Sequence, residues 1–354
     1  MRVISASGAG TRADGGVATL WVPDPEHHLA GVRLHPDRGI PGGMAEFRRR
    51  GGGWQLAISQ PAVSRMEYLV ELRYPDGGSE TTTDPGNPRQ AAGAFGPKSV
   101  LEFPGYAPPG WLTAPAEPGR SATFDVPVPS LGGPVRVITW CPSGSADDEP
   151  LPLLVAHDGP EYDALASLTR YLAAGVTGGW LPRLRAALLA PGPRDRWYSA
   201  NTRYASALRR AVIPALTSQL ATGPRIGMGA SLGALAMLHA QCRYPDAFDA
   251  LFLQSGSFFS PRFDGHERGF PYYHRVVRFV AQAQAGGLPA RPIPVALTCG
   301  TLEENARNNR LMAAALRAAG YPASLHEARD LHNYTAWRDA FDPAGTRLIQ
   351  QVCP

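Results

Sequence analysis

Lysine is almost absent from this chain. Lys98 is the only one, and arginine supplies the rest of the 34 basic residues, for a formal net charge of +4. Guanidinium forks match carboxylates and phosphates, but an arginine-rich chain full of Ala, Gly and Pro is also what a GC-rich coding sequence produces. The overall charge therefore names no anionic ligand. The arginines form no run interleaved with aromatics, which excludes a nucleic-acid-binding segment. Cysteine is scarce and scattered: Cys141, Cys242, Cys299 and Cys353 show no CxxC and no paired spacing. That excludes a disulfide framework and a zinc site, and no metal or other cofactor is expected. Cys242 and Cys299 are expected to be small buried residues. No apolar run reaches the length that spans a bilayer. The stretch Met1–Gly10 holds one Arg and lacks the apolar centre of a secretory signal, so the expected location is the cytoplasm.

What is present is an ordinary globular balance, 44% hydrophobic and 18% charged over 354 residues, enough for two domains. Short β-rich runs fill the first 103 residues: Val17–Pro23, Met44–Arg48, Gly53–Ile58 and Arg65–Tyr74, separated by Pro/Gly/Asp turn clusters. Such spacing predicts a small antiparallel β-sandwich. Residues 104–119 are rich in Pro and Gly and form a linker that holds neither a helix nor a central strand. From residue 120 to 354 strand-like and helix-like segments alternate, which predicts a mostly parallel sheet with helices on both faces. Predicted strands are Ala122–Val128, Val135–Cys141, Leu151–Ala156, Arg185–Ala190, Arg225–Met228, Ala250–Leu253, Pro294–Thr298 and Ala323–His326. Helices are predicted over Asp163–Ala173, Thr202–Leu220, Leu232–Cys242, Tyr273–Ala285 and Arg307–Ala319.

The most informative stretch is Gly229-Ala230-Ser231-Leu232-Gly233, set between a short apolar strand and a run of helix formers. A serine in a sharp strand-to-helix turn is exposed above the sheet as a nucleophile, and the flanking glycines supply the room the turn needs. The backbone N–H of Leu232 then points into the same space as half of an oxyanion hole. This is the α/β-hydrolase arrangement, in which the chain order is serine, acid, histidine. His332 lies in a loop after the last predicted strand, where a general base should project, whereas His326 falls inside that strand. The acid is expected after the strand ending at Thr298, where Glu303 and Glu304 sit. Glu303 is preferred; the competing role for both is to stabilise the helix that begins near Asn305. Asp330 is a rival too close in sequence to His332. The second oxyanion donor is expected from the loop His157-Asp158-Gly159-Pro160, as the N–H of Gly159 or of Glu161. His157 is read as a residue that structures the loop.

Taken together, these residues resemble the enterochelin esterase group of the esterase D-like α/β-hydrolases, over most of the chain. The elbow at Ser231, Phe248, the segment Leu253-Gln254-Ser255-Gly256-Ser257-Phe258-Phe259, His332 with Trp337-Arg338, Glu303 after Cys299-Gly300, and Arg194 with Asn201 are similar to that group's motifs. Trp197 stands where the group usually has Glu, and Leu331 and Asn333 flank the histidine where Gly and Asp are common. The resemblance implies an immunoglobulin-like sandwich in front of the hydrolase domain. It also implies a small-molecule ester substrate, a ferric siderophore such as a catecholate trilactone. For so large an anion, Arg194, Arg196, Arg203, Arg307 and Arg338 are candidate contacts, and Tyr162, Trp197, Tyr198, Phe258 and Phe259 are candidate stacking partners. Two other readings are a carboxylesterase or acyltransferase acting on a feruloyl, acetyl or antibiotic ester, and a non-catalytic homologue that only binds its ligand.

Overall fold

The computed structural model describes residues 11–14 and 16–353, so the Met1–Gly10 stretch read for a signal lies outside the described residues. The chain forms two compact units. The first contains the residues up to Ala107 together with two short loops, Gly300–Glu304 and Arg329–Asn333; the second contains the remainder.

In the first unit an antiparallel sheet runs in the order Arg12–Asp14, Val17–Pro23, Gly53–Ser59, Arg48–Arg50. A second sheet centres on Arg65–Arg73, which pairs with Gly31–Pro36, with Lys98–Glu102 and with Ser79–Thr82. The period-2 pattern aims Ala18, Leu20 and Val22 from one sheet and Val32, Leu34, Met66, Tyr68 and Val70 from the other into a single core. That shared core makes the unit a β-sandwich. The strand predicted over Met44–Arg48 shrinks to the pair Ala45–Glu46. Gly31–Pro36 and Lys98–Glu102 were not predicted, because Gly and Pro at their borders read as turn signals.

Leu302 and Leu331, one from each short loop, join this sandwich core, and Leu331 is completely buried. Gly39, at φ +99°, lies so close to Leu302 that a Cβ would stand 2.1 Å from its carbonyl oxygen. Both loops group with the first unit although they connect elements of the second.

The second unit is built on eight strands: β1 (Arg120–Val126), β2 (Val135–Cys141), β3 (Leu151–His157), β4 (Arg185–Leu189), β5 (Thr222–Ala230), β6 (Ala250–Gln254), β7 (Val295–Gly300) and β8 (Ala323–Ala328). Their order is β1-β2-β4-β3-β5-β6-β7-β8. β2 is antiparallel to β1 and β4, and the pairs β4–β3, β3–β5, β5–β6 and β6–β7 are parallel. Alternate residues feed separate cores on the two faces: Leu153, Val155, Ala187 and Leu189 on one, Leu154, Ala156, Ala186 and Leu188 on the other. A sheet covered on both sides in this way is the doubly wound α/β-hydrolase architecture. The helix predicted over Asp163–Ala173 is two helices, α1 (Gly159–Ala166) and α2 (Leu168–Thr177), because Ser167 takes a left-handed backbone at φ 55°. Among the described residues no helix is long and apolar enough to cross a membrane.

Truncating Leu331 should cost about 2–5 kcal/mol, the ordinary range for emptying a buried leucine site. Urea denaturation of Leu331→Ala against wild type checks this; a change below about 1 kcal/mol would mean the loop is not anchored by its leucine.

Candidate active site

β5 ends at Ala230, and Ser231 follows with φ 55° and ψ −123° before α3 (Leu232–Arg243) begins. An L-residue seldom adopts this backbone, and the surroundings enforce it. A Cβ on Gly229 would lie 2.5 Å from the backbone carbon of Gly233, so only glycine fits there. The Ser231 N–H donates to the Gln254 carbonyl at 2.9 Å, and the Ser231 carbonyl accepts from the N–H groups of Ser257 (3.1 Å) and Leu235 (3.2 Å). Its Oγ lies 3.0 Å from the Ser257 hydroxyl. As the first residue of α3, Leu232 has an N–H without an intrahelical acceptor.

The Gln254–Ser257 segment is the frame of this elbow. Gln254 Oε1 accepts from the Tyr162 hydroxyl at 2.8 Å, while its Nε2 donates to Thr298 Oγ1 (3.2 Å) and the Trp337 carbonyl (2.9 Å). Trp337 Nε1 donates to Ser255 Oγ at 2.9 Å. Asn309 brackets Gly256 by accepting from its N–H and donating to its carbonyl, each at 3.0 Å. Ser257, which touches the serine hydroxyl, was not singled out from sequence. Its only signal was membership of the Gln-Ser-Gly-Ser stretch.

On the other side of the elbow stands the end of β3. His157 is fully buried; its Nδ1 donates to the Gly233 carbonyl at 3.0 Å, and its ring stacks on Tyr198 with centroids 4.4 Å apart. Burial pushes its pKa down to about 4, so the ring is neutral and structural. Asp158 adopts φ 49° and receives a bidentate pair from Arg194, Nε at 2.9 Å and Nη2 at 2.8 Å. Burial alone would lower the Arg194 pKa, but the Asp158 carboxylate outweighs it and raises it. Gly159 opens α1, so its N–H also lacks an intrahelical acceptor. Its lack of a side chain serves packing, because a Cβ would stand 2.3 Å from Leu188 Cα.

Within the first unit, His332 Nδ1 lies 2.8 Å from Glu303 Oε2. The Glu303 side chain is wholly buried, and its other oxygen accepts the Gly300 N–H at 2.7 Å. Glu304 turns to Arg38 instead, at 3.6 Å. Of the two glutamates it is Glu303 that pairs with His332, and the following helix starts from Asn305. Asp330, the rival acid, is committed elsewhere: it accepts from Arg65 Nε at 3.0 Å and from the Leu331 N–H at 2.8 Å. Arg65 is a buried guanidinium that also holds Glu67 at 3.0 and 3.1 Å and donates to Asn333 Oδ1. Both residues bonded by Arg65 beyond its own strand therefore flank His332.

A family model described as "Putative esterase" matches residues 128–348, well over half of the chain. This chain belongs to that esterase family. The fold is similar to that of the enterobactin esterase FES from Shigella flexneri, at TM-score 0.77 and 20% identity, covering 98% of each chain. It is likewise similar to the ferric enterobactin esterase from Salmonella typhimurium, at TM-score 0.78 and 20% identity over 98% of this chain and 97% of that one. A feruloyl esterase module from Clostridium thermocellum matches at TM-score 0.54 and 14% identity, over 70% of this chain and 93% of that one. Curated protein sequences yield no match.

In this esterase several expected ligand contacts are core residues. Tyr162, Tyr198 and Phe258 are 0% exposed, and Trp197 lies flat on Tyr204 at 5.4 Å in the same core. Phe259 is buried and stacks on Tyr273. All five rings are packed in the core of the second unit; large aromatics at strand ends look alike in sequence whether they pack or bind. Arg194 remains part-exposed with Nη1 free of its carboxylate. Arg196 donates to the Leu131 carbonyl at 3.2 Å, Arg307 lies 3.9 Å over the Phe263 ring, and Arg338 pairs with Asp339. Arg203 is exposed.

Because His157 titrates near 6.5 when unfolded but near 4 when folded, its contribution to stability is full above pH 6.5 and is lost as pH falls toward 4. Wild type should therefore lose on the order of 2 kcal/mol more than His157→Gln between pH 7 and pH 4.5. Denaturation midpoints at the two pH values measure it, and parallel losses would show that this imidazole is not buried neutral.

Proposed function

We propose that this esterase is a serine hydrolase in which Ser231 is the nucleophile, His332 the general base and Glu303 the residue that orients it. The observation that carries the reading is the 2.8 Å pairing of His332 Nδ1 with a buried Glu303 carboxylate, in a chain that also holds a strained serine elbow. A carboxylate on Nδ1 fixes the tautomer with Nε2 as acceptor and stabilises the imidazolium that forms. All three residues follow strands of one sheet at their carboxyl ends, where α/β sheets place their ligands. Ser231 Oγ attacks the ester carbonyl as its proton passes to His332 Nε2. The N–H groups of Leu232 and Gly159 receive the negative oxygen. His332 then protonates the departing alcohol, takes a proton from water, and the hydroxide cleaves the acyl-serine to release the acid and restore the serine.

The substrate we infer is a ferric siderophore ester of the catecholate trilactone type, with the iron as cargo and the site acting in the cytoplasm. Support comes from the likeness to enterobactin esterases over 98% of this chain, sandwich included, where the feruloyl esterase module covers only 70%. The fork of Arg194, held in place by Asp158, suits an anionic ligand. A second reading, a feruloyl-type ester, draws on the latter likeness.

Mass spectrometry of wild type and Ser231→Ala on ferric and iron-free catecholate trilactones, feruloyl esters and p-nitrophenyl esters tests both. We expect trilactone cleavage by wild type and a loss of at least about 10³-fold in the variant. Turnover of simple esters with the trilactone left intact would keep the serine and discard the siderophore. On the same reading Arg65 acts on the reaction through Asp330 and Asn333. Arg65→Lys should lower kcat on the order of 10- to 100-fold with KM little changed, the signature of a displaced base; an unaltered kcat in a folded variant would remove Arg65 from the account.

A further inference from the structure

A groove of about 720 Å³ lies on the second unit, along the outer end of α3 and beside the helix Tyr273–Gln284. Five arginines line it, Arg196, Arg203, Arg243, Arg275 and Arg278, and no carboxylate does. Among the described residues none of the five forms an ion pair. Elsewhere at the surface Arg120, Arg136, Arg183, Arg209 and Arg310 each have an acidic partner.

Two features show that the groove is built rather than merely charged. Arg275 is held in place: it donates to the Ser199 carbonyl and, at 2.7 Å, to the Arg196 carbonyl, with its guanidinium 4.5 Å over the Tyr272 ring. Fixing it on neutral carbonyls leaves its charge uncompensated. His239 lines the same groove at 5% exposure, its ring edge-on to Phe279 at 5.0 Å. Neither of its ring nitrogens has a hydrogen-bond partner among the described residues, so both are open to a group in the groove. Burial, with Arg243 and Arg275 nearby, pushes its pKa down to about 4, so the ring is neutral and keeps one N–H to donate. Phe279, Cys242 and Ala283 provide apolar lining.

We propose that this groove binds a small organic anion that carries one or more carboxylate or phosphate groups on a flat apolar body. The guanidinium groups take the charges, His239 takes one oxygen or ring atom, and Phe279 meets the flat face. The site is separate from the reaction centre, since His239 lies eight residues along α3 from Ser231, a rise of about 12 Å. It does not depend on the triad reading.

Calorimetric titration of the full chain with benzene-1,3,5-tricarboxylate, 4-nitrophenyl phosphate and inorganic pyrophosphate tests the proposal. The two aromatic anions should bind one per chain, more weakly as salt rises. In Arg243→Ala/Arg278→Ala their affinity should fall at least about tenfold. Phe279→Ala should weaken both aromatic anions while sparing pyrophosphate. The tighter of the two aromatic probes identifies the charged group the site prefers. Hydrolysis of p-nitrophenyl acetate should be unchanged in these variants. Absence of binding by all three probes, or binding that persists undiminished in the double arginine variant, would overturn the assignment.

Discussion

The backbone of one residue governs the architecture of the second unit. Ser231 is held at φ 55° and ψ −123°, a region that costs an L-residue of order 1–3 kcal/mol unless its surroundings over-determine it. Here they do. The hydrogen bonds from its N–H to Gln254 and to its carbonyl from Ser257 and Leu235 leave the turn no alternative path, and Gly229 admits α3 at a separation any side chain would block. Gln254 then ties the turn to α1 through Tyr162 and to the C-terminal region through Trp337. Strain at the serine is therefore distributed over a frame of buried polar contacts, and the hydroxyl emerges from a rigid support.

The first unit solves a different problem, that of holding a histidine loop with little regular structure of its own. Buried Arg65 gathers Glu67, Asp330 and Asn333. Burial opposes its charge, yet the two carboxylates keep its pKa raised. Removing one member of such a set leaves a buried charge uncompensated, which is costly even when the intact set contributes little net stability. Leu331 adds an apolar anchor in the sandwich core. Leu331 and Asn333, on either side of His332, make two of these attachments.

Local chemistry was legible in the sequence, and distant pairing was not. The elbow could be read because its glycines, its serine and its two periodic flanks all lie within about fifteen residues. The pairing of His332 with Glu303 could be anticipated because both lie in loops that follow late strands. Arg65, by contrast, stands 265 residues from Asp330, and nothing in a short β-strand run marks an arginine as inward-facing. Aromatic residues misled for a related reason: Tyr162 and Phe258 have the composition of a ligand platform and the burial of a core. The arginine groove was hidden because its members are spread over separate helices and converge only in three dimensions.

The loops Gly300–Glu304 and Arg329–Asn333 grow from the hydrolase sheet but are sheltered by the sandwich. In evolutionary terms the two halves of the chain are therefore not interchangeable modules. A recombination near residue 107 that brought in another sandwich would preserve the serine elbow intact. It would also leave these two loops on a foreign surface without a partner for Asp330 or a cavity for Leu331.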